Sequence, residues 1–83
     1  MDTRVAVISI IAQSLEPAEK INLLLHEYSE YIVGRMGVPY RSKGVNLISV
    51  AIDAPQDVIN SLAGRIGRLK DVTAKTVYSP FAP

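Results

Sequence analysis

Two adjoining stretches decide the fold: RVAVISIIAQ at residues 4–13 and EPAEKINLLLHEYSEYI at residues 16–32. The first is β-branched and apolar with almost no alternation, a pattern typical of a central strand covered on both faces. The second changes period, because its apolar side chains recur every three or four residues and so share one stripe of a helix. That stripe consists of Ile21, Leu24, Leu25, Tyr28 and Ile32. The sequence therefore predicts a strand followed by an amphipathic helix.

The chain continues with a predicted β-hairpin. Residues 32–41 are mostly apolar but contain two glycines and Pro39. This composition predicts a bent strand at a sheet edge, because proline cannot donate to a strand ladder. Turn-forming residues at 42–44 then lead into a second apolar strand at 45–53.

A second helix and a last strand complete the order of elements. Asp53 and Gln56 have the spacing of a capping box at a helix start, and residues 72–79 alternate as a strand. The order β-α-β-β-α-β predicts an α+β, ferredoxin-like sandwich, in which both helices cover one face of a four-stranded antiparallel sheet. We expect a single domain over residues 1–83, with 79–83 as a flexible or extended tail.

The composition excludes several kinds of site. Among 83 residues there is no Cys and only one His, so disulfides, iron–sulfur clusters, thiolate zinc sites and cysteine nucleophiles are ruled out. The formal net charge of +1 gives no general electrostatic case for nucleic acid or a membrane surface. The apolar run at residues 5–12 is too short for a membrane span and lacks a cleavage site. We therefore expect a cytoplasmic protein without membrane association.

Both faces of the predicted sheet are apolar. In the first strand, and again in the strand at 45–53, odd-numbered and even-numbered positions both carry aliphatic side chains. Since the helices cover one face only, the other would expose an apolar patch of a kind that monomers rarely carry. We expect a second copy to cover it, in a dimer or a tetramer; the alternative is shielding by the C-terminal tail. The predicted interface residues are Ile8, Ile10, Ile48 and Val50.

The bent second strand and its turn supply the candidate effector site. Arg35, Tyr40, Arg41 and Lys43 combine cationic side chains with one aromatic ring, next to glycines that permit a close backbone approach. Arginine recognises carboxylates and phosphates through paired hydrogen bonds, so a small anionic effector is the predicted ligand. The alternative is that these charges only protect an exposed sheet edge from aggregation.

Residues for metal binding or catalysis are sparse. His26 has Glu30 one helical turn away, but a metal site needs more converging ligands, so a surface histidine is the favoured interpretation. No serine has an identifiable histidine–acid partner, and no carboxylate lies in an apolar context that would adapt it to acid–base chemistry. We expect no metal site, no cofactor and no enzymatic activity.

The end of the second helix has two features with ordinary structural explanations. Arg65, Arg68 and Lys70 are expected to complement the helix dipole. Gly64 and Gly67 are expected to permit a close approach between packed elements, since interior glycines otherwise cost helix stability.

Four segments together resemble one known family. The chain is similar to the iron-only ([FeFe]) hydrogenase system regulator family, whose regulatory role is itself a proposed one, and the similarity extends over residues 4–78. The segments that carry it are LHEYSE at 25–30, GRMGVPY at 34–40, SLAGRIG at 61–67 and VTAKTV at 72–77.

The resemblance implies a ferredoxin-like, ACT-like domain similar to the C-terminal domain of the nickel-responsive repressor. It implies a small regulatory or sensory module without a DNA-binding domain of its own, whose further partners are hydrogenase-system proteins or a small anionic effector. The repressor's nickel site uses histidines and a cysteine, so one His and no Cys cannot reproduce it. The turn at 13–16 also lacks the glycines with which ACT domains commonly bind amino acids.

Two other functions occur on this topology. An RNA-binding domain would need aromatic side chains on its middle strands, where this chain has aliphatic ones. An acylphosphatase-like hydrolase would need a phosphate-binding loop after the first strand, and residues 13–16 contain neither glycine nor arginine. Both are therefore alternatives to the regulatory module.

Overall fold

The computed structural model describes residues 2–14 and 17–81. It confirms the predicted order of elements. Short 3₁₀ turns at Ser29–Tyr31 and Arg41–Lys43 precede and follow the second strand. The strands are β1 (Arg4–Ala12), β2 (Ile32–Tyr40), β3 (Val45–Ala54) and β4 (Val72–Tyr78), and the helices are α1 (Ala18–Glu27) and α2 (Gln56–Gly67).

The four strands form one antiparallel sheet in the order β2-β3-β1-β4. This is the order that the ferredoxin-like prediction requires. Strand β2 is an edge strand with a β-bulge between Ile32 and Gly34, as its glycines and Pro39 predicted. The hairpin turn into β3 contains Gly44 at φ +66°, a left-handed conformation that glycine adopts without strain.

Both helices pack against one face of the sheet. Along β1 the even-numbered residues from Ala6 to Ala12 are at most 1% exposed, and the odd-numbered ones are exposed. Strand β3 shows the same alternation, with Ile48, Val50, Ile52 and Ala54 buried. These residues form one core with Ile21, Leu25, Ile59, Leu62 and Ile66 of the helices. Within the described chain, no helix is long and apolar enough to cross a membrane.

The first helix is shorter than the apolar stripe predicted. α1 ends at Glu27, a 3₁₀ turn follows, and Ile32 already belongs to β2, where it pairs with Ile52. Tyr28, Tyr31 and Ile32 have weak helix propensity, so α1 gains little by continuing through them. The predicted helix start at Glu16 lies outside the described residues.

The predicted capping box does not form. Asp53 still pairs with Val5 in the sheet, and α2 begins at Gln56 behind Pro55, with no side-chain hydrogen bond capping it. Proline positions the start of α2 because its φ is already close to the helical value. The end of the predicted tail, Ala82 and Pro83, lies outside the described residues.

The molecule exposes more surface than a compact chain of its mass. Its accessible area is 5520 Å² and its principal extents are 41 × 20 × 17 Å. A typical monomer of 9.0 kDa exposes about 4,850 Å². The sheet contributes to this area because it is covered on one side only, and Val5, Val7, Ile11 and Leu47 remain exposed on the other.

Candidate functional site

The four residues predicted as an oligomer interface lie in the core of the single chain. Ile8 and Val50 are 0% exposed, and Ile10 and Ile48 are at most 7% exposed. They contact the helices, so the assignment of these four side chains to the open face was wrong. Strands β1 and β3 carry apolar side chains at both odd-numbered and even-numbered positions. The helices pack against the even-numbered ones.

The open face of the sheet carries the other set of side chains. Its two central strands contribute Val7 and Ile11 from β1 and Leu47 from β3, and these are 37%, 46% and 40% exposed. A shallow hollow of about 280 Å³ lies at its middle, near Ser9 and Ser49. Residues directly opposite each other in an antiparallel pair project from the same face. The register of β2 with β3, and of β4 with β1, therefore identifies the remaining residues of the open face. On β2 and β4 they are Gly34, Met36, Val38, Tyr40, Thr73, Lys75 and Val77.

The C-terminal tail does not shield this face within the described residues. Phe81 is 83% exposed and Val77 is 65% exposed. The tail leaves β4 after a backbone hydrogen bond of 2.9 Å from Ser79 N to Val5 O. The open face, defined as the residues above, is therefore uncovered across all four strands, and it is apolar except for Ser9, Ser49, Thr73, Lys75 and the Tyr40 hydroxyl.

Arg35 is separated from the other predicted effector residues. It lies opposite Val50, on the helix side of the sheet, and donates a hydrogen bond of 2.5 Å to Asn22 Oδ1 on α1. Tyr40 lies opposite Val45, on the open face. Tyr40 is five steps of extended strand from Arg35, which corresponds to about 17 Å. The four predicted residues therefore do not converge on one point.

Arg41 and Lys43 remain together in the hairpin turn. Both belong to the 3₁₀ turn that Gly44 closes, and both are exposed. Tyr40 precedes them directly and is 48% exposed. The structure thus places two cations and one aromatic ring at the far end of the β2–β3 hairpin.

A hydrogen-bonded cluster between the helices was not predicted from the sequence. Arg65 on α2 donates to the Glu27 carboxylate and, over 3.1 Å, to the Tyr28 hydroxyl. That hydroxyl lies 3.0 Å from Ser61 Oγ. Arg65 thus does more than complement the helix dipole. All four residues lie in two of the segments that carry the family resemblance, but nothing in the sequence indicated that those two segments are in contact.

The cluster changes the protonation behaviour of its members. The hydrogen bond from Arg65 lowers the pKa of the Glu27 carboxyl, with a smaller contribution from the arginine charge. Hydrogen bonds with Ser61 and then with Arg65 lower the pKa of the Tyr28 hydroxyl. The bond to Glu27 raises the pKa of Arg65, which therefore keeps its charge. The cluster joins α1 to α2 through charged hydrogen bonds at the surface.

The remaining candidates show no convergence. His26 is exposed on α1, and among the residues that the structure describes no group of three or more His, Cys, Asp or Glu could hold a metal ion. A Cβ at Gly67 would meet nothing within 4 Å, and one at Gly64 would lie 3.3 Å from Arg68 Nη1 of the same helical end. Packing between elements therefore does not explain these two glycines.

Comparison with known proteins gives one family. Residues 4–76 match the family described as "TM1266-like: Iron-only hydrogenase system regulator, putative". The solved structure of the uncharacterized protein TM1266 from Thermotoga maritima is similar, with a TM-score of 0.87 and 32% identity over 93% of this chain and 98% of that chain. No curated protein matches. The match extends over most of the chain and includes the sheet, the inter-helix cluster and the hairpin, so the chain belongs to the TM1266-like family.

Proposed function

We propose that the chain is a small regulatory module of an iron-only hydrogenase system that works as a homo-oligomer, with a second copy covering the open face. The observation that carries this proposal is the apolar surface formed by all four strands. The family description supports the regulatory role, which requires no catalytic step. Charged side chains on the open face are few: Lys75 lies on the edge strand β4, and Asp53 lies opposite Val5 near the end of β3.

The area supports a second copy as the occupant. The chain exposes about 670 Å² more than the roughly 4,850 Å² typical of its mass. A standard interface removes about 800 Å² from each partner, so one face-to-face contact is large enough to cover an excess of this size.

Molecular mass in solution tests the self-association. The wild-type chain is expected to sediment at two or more times 9.0 kDa. Ile11→Glu places a charge in the middle of the open face and should give a folded monomer. Leu23→Glu is the matched control, because Leu23 is 70% exposed on α1, in the other layer. A wild-type mass of 9.0 kDa, or equal effects of the two variants, would contradict the proposal.

The regulatory role has its own test. In an organism that encodes this chain, its removal should change the level or activity of the iron-only hydrogenase. Ile11→Glu should then behave like the removal, whereas Leu23→Glu should behave like the wild type. Normal hydrogenase levels without the chain would count against the role whatever its mass in solution.

The hairpin end is the proposed binding site for a small anionic effector. Arg41 and Lys43 provide the charge, and Tyr40 provides a ring with a hydroxyl group. Arg35 is not part of this site, because it is directed to Asn22 on the other side of the sheet. Thermal-shift measurements with inorganic phosphate and with dicarboxylates test the site, using Arg41→Gln and Lys43→Gln. Arg68→Gln, an exposed cation beyond α2, is the control.

The side chains that the structure places on the open face do not favour RNA binding. The open face of the two middle strands carries Val7, Ser9 and Ile11 opposite Ala51, Ser49 and Leu47. Its single aromatic residue, Tyr40, lies at the end of an edge strand. Stacking of bases would need rings near the centre of the sheet.

A further inference from the structure

The open face is ordered in rows that cross all four strands. One row runs Gly34–Ala51–Val7–Val77 from β2 to β4, and each neighbouring pair is in direct register. The small side chains of this row therefore lie on β2 and β3, and its two valines lie on β1 and β4. Val77 is 65% exposed, whereas a Cβ added at Gly34 would meet nothing within 4 Å. The row has a projection at one end and an empty space at the other.

The next two rows are symmetric in size about the middle of the sheet. One has long side chains at its edges, Met36 and Lys75, with Ser49 and Ser9 between them. The other has the large pair Leu47 and Ile11 at its centre, with the β-branched Val38 and Thr73 at its edges. If each of these two rows is read from β4 to β2 instead of from β2 to β4, the sequence of side-chain sizes is therefore nearly the same.

We propose that two copies pack open face to open face about a two-fold axis parallel to the strands, so that Val77 of each copy occupies the space above Gly34 of the other. This rests on the proposed self-association and specifies its geometry. A rotation about that axis places β4 over β2 and β1 over β3, which brings Val77 over Gly34 and Ile11 over Leu47. Ser9 of each copy then lies over Ser49 of the other at the centre, where the short side chains leave space between the sheets.

Charge favours this axis over the alternative. A two-fold axis in the plane of the sheet but perpendicular to the strands, passing through the serine row, would place Lys75 over its own copy. The parallel axis places Lys75 over Met36, whose flexible thioether side chain can pack along the lysine methylenes. It also separates the two lysines by three strand spacings, about 14 Å, in the plane of the sheets.

Gly34 flanks the β-bulge of β2, but nothing on the open face of the single chain fills the space beside it. Its φ is not positive, and the space beside it is empty, so the monomer would accept a side chain there. Glycine within a strand costs conformational entropy and packs nothing. In the proposed dimer the partner's Val77 fills the space that Gly34 leaves empty on the open face.

The test uses the dissociation constant of the dimer, measured by sedimentation equilibrium. Gly34→Val should weaken the dimer at least about tenfold, because it overfills the interface twice. Adding Val77→Ala to Gly34→Val should recover part of that loss. Gly37→Val is the control, since Gly37 lies opposite Ile48 on the helix side of the same strand.

Cross-linking provides a second test, which detects the dimer even when it associates weakly. The chain has no cysteine, so Gly34→Cys and Val77→Cys each introduce a single thiol. In the proposed dimer the two positions lie about 10 Å apart across the packed sheets, and two Val77 positions lie about 17 Å apart. A short bis-maleimide should therefore join a mixture of the two variants much faster than Val77→Cys alone.

The outcomes separate this inference from the function on which it rests. A dimer that Ile11→Glu abolishes but Gly34→Val leaves intact would overturn the packing geometry and keep the open face as the interface. Additive weakening by Gly34→Val and Val77→Ala would also overturn the pairing. A monomeric wild-type chain would instead overturn the proposed self-association itself.

Discussion

Arg65 lies against Tyr28 across the two helices, with its guanidinium carbon 5.7 Å from the centre of the ring and its Nη1 3.1 Å from the hydroxyl. One arginine thus contacts the face and the polar end of the same tyrosine, while it also pairs with Glu27. Tyr28 in turn packs against the core. The cluster therefore connects a surface ion pair to the buried side chains, and it fixes the position of α1 relative to α2.

Acid should weaken the contact between Glu27 and Arg65. The pKa of Glu27 in the folded chain lies below its ordinary value of 4.5 because Arg65 donates to it. A lowered pKa means that the stabilisation is fully present above pH 4.5 and is lost as pH falls through the folded value. Glu27→Gln should therefore reduce the loss of melting temperature between about pH 5 and 3. Glu30→Gln, another exposed carboxyl nearby, should leave that loss unchanged.

The hydroxyl of Tyr28 should contribute a small but coupled stabilisation. Tyr28→Phe keeps the ring and removes hydrogen bonds with Ser61 and Arg65, so we expect a loss of about 1 kcal/mol in the free energy of unfolding. Ser61→Ala removes one of the same bonds, so the double variant should lose less than the sum of the single losses. Strict additivity in urea unfolding would show that the two hydroxyls do not interact.

The order of elements could be predicted from the sequence, but the faces of the sheet could not be chosen from apolarity. Strands at 4–13 and 45–53 and the bent edge strand with Pro39 follow from local composition. The helices cover either the odd-numbered or the even-numbered side chains of a strand, and in β1 both sets are mostly apolar. The apolar pattern therefore does not show which set is covered. A weaker signal was available: Ser9, Ser49 and Asp53 share one parity in their strands, and all three lie away from the core.

The candidate site was predicted less well than the fold, for a geometric reason. Arg35 and Tyr40 are close in sequence, but an odd separation along a strand places two side chains on opposite faces. The cluster of Arg65 with Tyr28 is a contact between residues 37 positions apart, and it depends on how the helices pack. Spacing rules describe one element at a time, so they cannot predict such a contact.

The two faces of β1 should respond differently to truncation. Ile8 is 0% exposed, so Ile8→Ala should lower the free energy of unfolding by about 2–5 kcal/mol at every protein concentration. Val7 is 37% exposed on the open face, so the effect of Val7→Ala should be small for the monomer. If the open face binds a second copy, the loss in Val7→Ala should grow under conditions where the wild type is dimeric. Equal losses in the two variants would contradict the assignment of faces.

The glycines should fall into two classes. Gly44 has φ +66°, so Gly44→Ala should destabilise the chain by about 1 kcal/mol through strain in the turn. Gly67 ends α2 without a positive φ and with open space beside it, so Gly67→Ala should stabilise by about 0.4–1 kcal/mol. Thermal unfolding of both variants provides the comparison. A destabilised Gly67→Ala would indicate that a contact outside this chain needs that glycine.

Arg35 and Arg41 should differ in their effects although both belong to the predicted anion site. Arg41 lies in the exposed hairpin turn with Lys43, so Arg41→Gln should reduce the thermal stabilisation produced by an anion that binds there. Arg35 bonds to Asn22 on α1, so Arg35→Gln should leave the anion effect intact and instead lower the melting temperature without ligand. Asn22→Ala should reproduce the loss caused by Arg35→Gln, because it removes the same hydrogen bond. Loss of the anion effect in Arg35→Gln would contradict the separation of Arg35 from the hairpin site.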